Sequence, residues 1–133
     1  MKNDPYRERD AAFQAAGGLE GLRQLTADFY QLMDSRPAFK TIRNLHPDAL
    51  SRSSEKLALF LSGYFNGPDL YQEKYGPFRL AAFHQHIPIR TVDRDAWLAC
   101  MQLALDQQPW EPAFKAHVLH RLRTPAERCR NLP

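Results

Sequence analysis

At 133 residues with a net charge of +3, the chain has the length of one domain, enough to bury about 68% of the surface its unfolded form exposes. Leu (17) and Ala (16) dominate, whereas Val, Ile and Thr together number nine, too few for an ordinary sheet, so a β-rich fold is excluded. Basic residues are spread along the chain and densest in "RLRTPAERCR", which reads as a solvated helix face or fraying tail rather than a nucleic-acid or membrane surface.

The N-terminal "MKNDPYRERD" is charged, and residues up to about 7 are expected to be loose. No window approaches the ~18 consecutive apolar residues of a membrane span. Cys100 and Cys129 stand in no metal-binding spacing, and Cys100 reads as a small core residue. A soluble, reduced, cytoplasmic protein is expected.

"RERDAAFQAA" predicts a short helix stopped by Gly17-Gly18. Leu19, Leu22, Leu25, Phe29, Leu32 and Met33 recur at three and four residues and predict a long amphipathic helix to about Ser35. Pro37 permits a new start, one or two turns over "PAFKTIRN", until His46-Pro47 breaks it. A third long helix is expected from about Asp48, with Leu50, Leu57, Phe60, Leu61 and Tyr64 on its inner face, ending at Asn66-Gly67-Pro68.

The next segment is irregular: a short turn, a Gly76-Pro77 break, two helical turns from Phe78 to His84, and an extended exit at Ile87-Pro88-Ile89. Asp93 or Thr91 is expected to cap the following helix, whose buried face is Trp97, Leu98, Met101, Ala104 and Leu105. Pro109 ends it. Pro112 starts the last helix, with Phe114, Val118, Leu119 and Leu122 inward and His117 and His120 as a surface pair. The result is an all-α chain with four substantial helices, packed as a four-helix bundle or as a two-over-two sandwich. Periodicity alone fits both.

The chemistry-bearing stretch is "LAAFHQHIPIR". Two histidines two residues apart share a face only on a strand; on a helix they point about 200° apart. The Ala-rich segment reads as helix, so at most one of His84 and His86 is a ligand in this site. Zinc needs three or four protein ligands, and His46, His117 and His120 are scattered. A planar cofactor that brings four ligands of its own needs one axial histidine.

These segments together resemble the group II truncated haemoglobins from about Phe13 to Arg123. "GGLEGL" is similar to that family's glycine turn, "FYQLMD" to the Phe-Tyr pair of its second helix, and "EKLALFLSGYFNGPDLY" to its third-helix block. "RLAAFHQHIPI" is similar to its proximal segment and "RDAWLACM" to its tryptophan-bearing helix. The resemblance implies a globin-like, truncated two-over-two helical sandwich filling one domain, 1–133, with b-type haem. His84 would be the proximal iron ligand, with His86 outside the iron's shell. Tyr30 and Trp97 would be distal hydrogen-bond donors, with His46 over the distal pocket and Ser53 at the small distal position. Leu57 and Phe60 would pack on the porphyrin, and Lys56 would lie near a propionate. Phe83 stands where the family commonly has a basic residue and Ile87 where it has Phe, which leaves Arg79 as the propionate candidate on that side.

The implied function is reversible binding of O2, with NO and CO as further ligands, serving oxygen handling, NO detoxification or a peroxidase-like reaction with a reductase as partner. A monomer or weak homodimer is expected. Two alternatives stand beside it: a helical divalent-metal enzyme using His84 and His86 with Asp93 or Asp95, and a cofactor-free helical interaction module.

Overall fold

In a computed structural model, residues 5–133 are described, except for the side chain of Phe83. Eight α-helices follow in order among them: α1 (Ala11–Ala15), α2 (Gly18–Ser35), α3 (Lys40–Arg43), α4 (Ser51–Tyr64), α5 (Leu70–Tyr75), α6 (Leu80–His84), α7 (Thr91–Asp106) and α8 (Pro112–Cys129). Short 3₁₀ turns at Pro5–Arg7 and Pro37–Phe39 precede α1 and α3. No strand occurs among the described residues.

The four long helices form two crossed pairs. α2 packs on α4, α7 packs on α8, and α2 crosses α7. This is the two-over-two sandwich, and it resolves the choice that periodicity left open. Leu22, Leu25, Phe29, Leu61, Met101, Leu105, Phe114 and Leu122 are all almost fully buried at that crossing. The expected stripes therefore supply most of the observed core, because residues three and four apart share one helix face, while Leu19 and Leu98 at their margins stay half-buried.

The elbow before α2 depends on two glycines in the left-handed region, Gly17 (φ 87°) and Gly18 (φ 69°). Gly21 is needed for a different reason. A Cβ there would lie 1.6 Å from the backbone oxygen of Ala16, so only glycine lets the end of α1 press against α2.

Local chemistry sets helix ends that the pattern misplaced. α4 starts at Ser51 rather than near Asp48, because the Arg43 guanidinium donates to the carbonyls of Pro47 (3.0 Å) and Asp48 (2.7 Å) and to Asp34 (2.7 Å). Those contacts hold the first expected turn open. The short turn expected after Pro68 is a helix, α5, whose Tyr71 is buried against Phe78 at 4.7 Å between ring centroids. α6 starts at Leu80, two residues late, because Arg79 is extended. α7 starts at Thr91. Asp93 closes its N-terminus from inside, its carboxylate accepting from the Arg90 backbone N–H at 2.9 Å.

The C-terminal run departs most from expectation. α8 passes through Pro125 and ends at Cys129. Proline has no N–H for the carbonyl one turn back, that of Arg121. The Tyr64 hydroxyl donates to that carbonyl instead, at 2.6 Å, while the Arg121 guanidinium lies 4.8 Å over the Tyr64 ring. The helix continues because another helix satisfies its orphaned acceptor.

Candidate functional site

Tyr30 lies on the flank of α2 yet is buried, with 8% of its surface exposed, so its hydroxyl is not a surface group. Its ring meets Phe29 edge-on (4.9 Å) and His46 edge-on (5.6 Å). Phe29 in turn meets Trp97 of α7 at 5.0 Å. α2, the segment after α3 and α7 thus bring Tyr30, His46 and Trp97 into one aromatic cluster. Phe29, read from the sequence as core alone, is its hub.

Burial pushes the Tyr30 phenol well above its ordinary pKa, with the Cys100 thiol a lesser influence. The phenol therefore keeps its proton and can donate. Burial lowers the pKa of His46, opposed by its Nδ1 contact with the Ile42 carbonyl (2.8 Å); Arg43 and His84 lower it further. Cys100 is a core thiol as expected. Its S–H donates to the Phe29 carbonyl at 3.4 Å, and burial pushes its pKa up to about 12.

α4 supplies the next wall. Leu57, Phe60 and Tyr64 pack against the core but remain partly exposed, as do Leu50 and Trp97. Phe60 stacks on Tyr64 (5.4 Å) and meets Phe78 at 4.9 Å. Phe78 and Tyr71 were not singled out in the sequence. An aromatic directly after Gly76-Pro77 was the available signal. Ser53 is half-buried on α4. The Lys56 ammonium lies 5.0 Å over the Tyr75 ring, and Arg79 is exposed beside the first turn of α6.

His84 is the last residue of α6 and half-buried. Its Nδ1 lies 2.8 Å from the Leu80 carbonyl. A proton on Nδ1 donated there leaves the ring's lone pair on Nε2, the tautomer a metal-ligating histidine uses. His86 is exposed, two residues past the helix. The Phe83 side chain lies outside the described residues.

The divalent-metal alternative has no ligand set. α6 is helical, Asp93 is held by Arg90 (3.2 Å) and Asp95 by Arg94 (2.9 Å). Among the described residues no three His, Cys, Asp or Glu side chains group together. One imidazole, buried neutral donors and half-covered apolar walls suit a planar apolar group with its own equatorial ligands.

Two other expectations change. His117 is buried, stacked on Phe114 at 6.3 Å and beside Tyr6 at 5.2 Å, so it is no surface partner of His120. Tyr6 also packs on Phe114 at 4.9 Å, which fixes part of the segment expected to be loose; residues 1–4 of that segment lie outside the described residues. No helix among the described residues is long and apolar enough to cross a membrane.

Comparison with known proteins agrees with this geometry. The family model for bacterial-like globins matches residues 11–131. The group 2 truncated haemoglobin YjbI of Bacillus subtilis (strain 168) is 35% identical over 122 residues, covering 92% of this chain and 89% of that protein. The group II 2-on-2 haemoglobin of Agrobacterium tumefaciens superposes with a TM-score of 0.86 at 34% identity, covering 92% and 95% of the two chains. A truncated oxygen-avid haemoglobin from Bacillus subtilis gives 0.81 at 34%, covering 90% and 98%.

Proposed function

Since the chain belongs to the bacterial-like globins, in their group II truncated haemoglobin branch, we propose that it binds O2 reversibly, and NO and CO as well, at a haem iron ligated by His84. Proteins of this family bind haem and diatomic gases, so the cofactor-free alternative falls away. When bound, haem would supply a ferrous iron, held by His84, that can take up a gas molecule.

The residues of the chain do the rest. His84 offers Nε2 because Nδ1 is engaged with Leu80. Leu57 and Phe60 exclude water, which disfavours oxidation of the iron. Ser53 leaves distal room, and Lys56 and Arg79 stand as partners for the propionates. Tyr30 would donate a hydrogen bond from its hydroxyl to the partial negative charge on the gas, assisted by the Trp97 indole N–H, while His46, whose Nδ1–H is taken up by the Ile42 carbonyl, packs on the Tyr30 ring and holds it in place.

The observation that carries this reading is the buried, protonated phenol of Tyr30 touching His46 and, through Phe29, reaching Trp97. Such a donor set retains oxygen, as the Bacillus subtilis protein described as oxygen-avid does. Retention suits NO detoxification or peroxidase-like turnover, with electrons from a reductase, better than fast-release transport. We assign the protein to the cytoplasm, in keeping with its two free thiols, as a monomer or weak dimer.

A hydrogen bond to a charged group contributes about 1.5–3 kcal/mol. Stopped-flow release of O2 from the ferrous holoprotein should therefore accelerate ~10-fold or more in Tyr30→Phe. Release from the wild type as fast as from Tyr30→Phe would contradict the reading.

A further inference from the structure

α6 has only five residues, too few to hold its own geometry in water. What fixes it comes from the far end of the chain. Past the end of α8, the Asn131 side chain inserts its amide into the turn that leaves α6. Its Nδ2 donates to the carbonyls of His84 (3.2 Å) and Ile87 (2.7 Å), and its Oδ1 accepts from the Ile89 N–H (2.9 Å). The backbone N–H groups of Asn131 and Leu132 both donate to the Ile89 carbonyl at 3.0 Å. Both donors and the acceptor of this amide are thus used, which only Asn or Gln can do.

The tail is itself anchored. Glu127, in the last turn of α8, pairs with Arg94 of α7 and with Arg130. Their guanidinium groups hold its carboxyl down to about 2. Two residues further, at the end of α8, the Cys129 sulfur lies 3.6 Å from His84 Nδ1. The backbone of His84 is therefore held by Asn131 and its ring flanked by Cys129, from an element otherwise packed on α7.

We propose that Asn131 is a positioning residue for His84: its amide clasps the C-terminal tail to the proximal turn and fixes the height and rotation of the imidazole. This rests on His84 being the iron ligand. The donors matter as much as the acceptor, because the two carbonyls they bridge are the histidine's own and that of Ile87, the two ends of the turn that leaves α6.

The test uses ferrous deoxy holoprotein and reads the iron–histidine stretching band by resonance Raman, haem transfer to an excess of apomyoglobin, and the melting temperature. In Asn131→Ala, and in a chain ending at Arg130, the band should shift or broaden and haem transfer should quicken ~10-fold, with melting nearly unchanged. Asn131→Asp keeps the acceptor but loses both donors, so it should not rescue. A band and transfer rate equal to wild type in Asn131→Ala would overturn the proposal. So would a lowered melting temperature with an unmoved band, which is what a merely structural role produces, or full rescue by Asp. His84→Ala run alongside separates the two levels: if the band survives that change, the assignment of the ligand has failed, not the clasp.

Discussion

The two sides of the site are built by different physics. The Tyr30 side is set by side chains on α2 and α7, helices of 18 and 16 residues whose apolar faces are largely buried. Position there is a by-product of core packing: Phe29 cannot move without disturbing Trp97, Tyr30 and the helix crossing. The His84 side is a five-residue helix bracketed by Gly76-Pro77 and Pro88, fixed by hydrogen bonds from residues more than 40 positions away in sequence. Packing gives Tyr30 and Trp97 rigidity, whereas His84 is held by a few exposed polar contacts whose removal leaves the core intact.

The sharpest way to break this contrast is to damage the hub. Phe29 is 0% exposed, and a buried Phe→Ala change costs about 3–5 kcal/mol through lost burial and the cavity it leaves. Phe29→Ala should lower urea-unfolding stability by that amount and loosen Tyr30 and Trp97 together. A loss under about 1 kcal/mol would mean that the aromatic cluster is not part of the core.

Native-state hydrogen exchange compares the two sides without mutation. The amides of Ile87 and Ile89, bonded to His84 and Asn131, should open with a free energy at least about 2 kcal/mol below those of Phe29 to Met33 in α2. Equal protection would erase the distinction.

The smallest expected effect is a pH dependence on the Tyr30 side. Burial lowers the pKa of His46 from its ordinary value near 6.5, so the folded protein binds that proton less readily than the unfolded chain does. Stability from this group is fully present above 6.5 and is lost as pH falls below it. The melting temperature of the wild type should therefore decline on acidification through that range more steeply than that of His46→Phe. Parallel profiles would remove His46 from the buried cluster.

The same contrast explains what could be read from the sequence. The stripes of α2, α7 and the first half of α8 were legible because each is decided by periodicity within one helix. Tyr30, His84 and Trp97 stood out through their spacing and the family likeness. Features decided between distant elements were not legible: Arg43 unwinding the start of α4, Tyr64 carrying α8 through Pro125, His117 buried by Tyr6. Asn131 had no signal at all, since an asparagine near a terminus looks like solvent-facing tail until the fold brings it to His84.

The most direct test of the central claim is the visible spectrum of the chain reconstituted with one equivalent of haem. The account predicts a Soret band that persists in His86→Ala, collapses in His84→Ala and returns there when imidazole is added to replace the missing ring. A His84→Ala spectrum indistinguishable from wild type would contradict it.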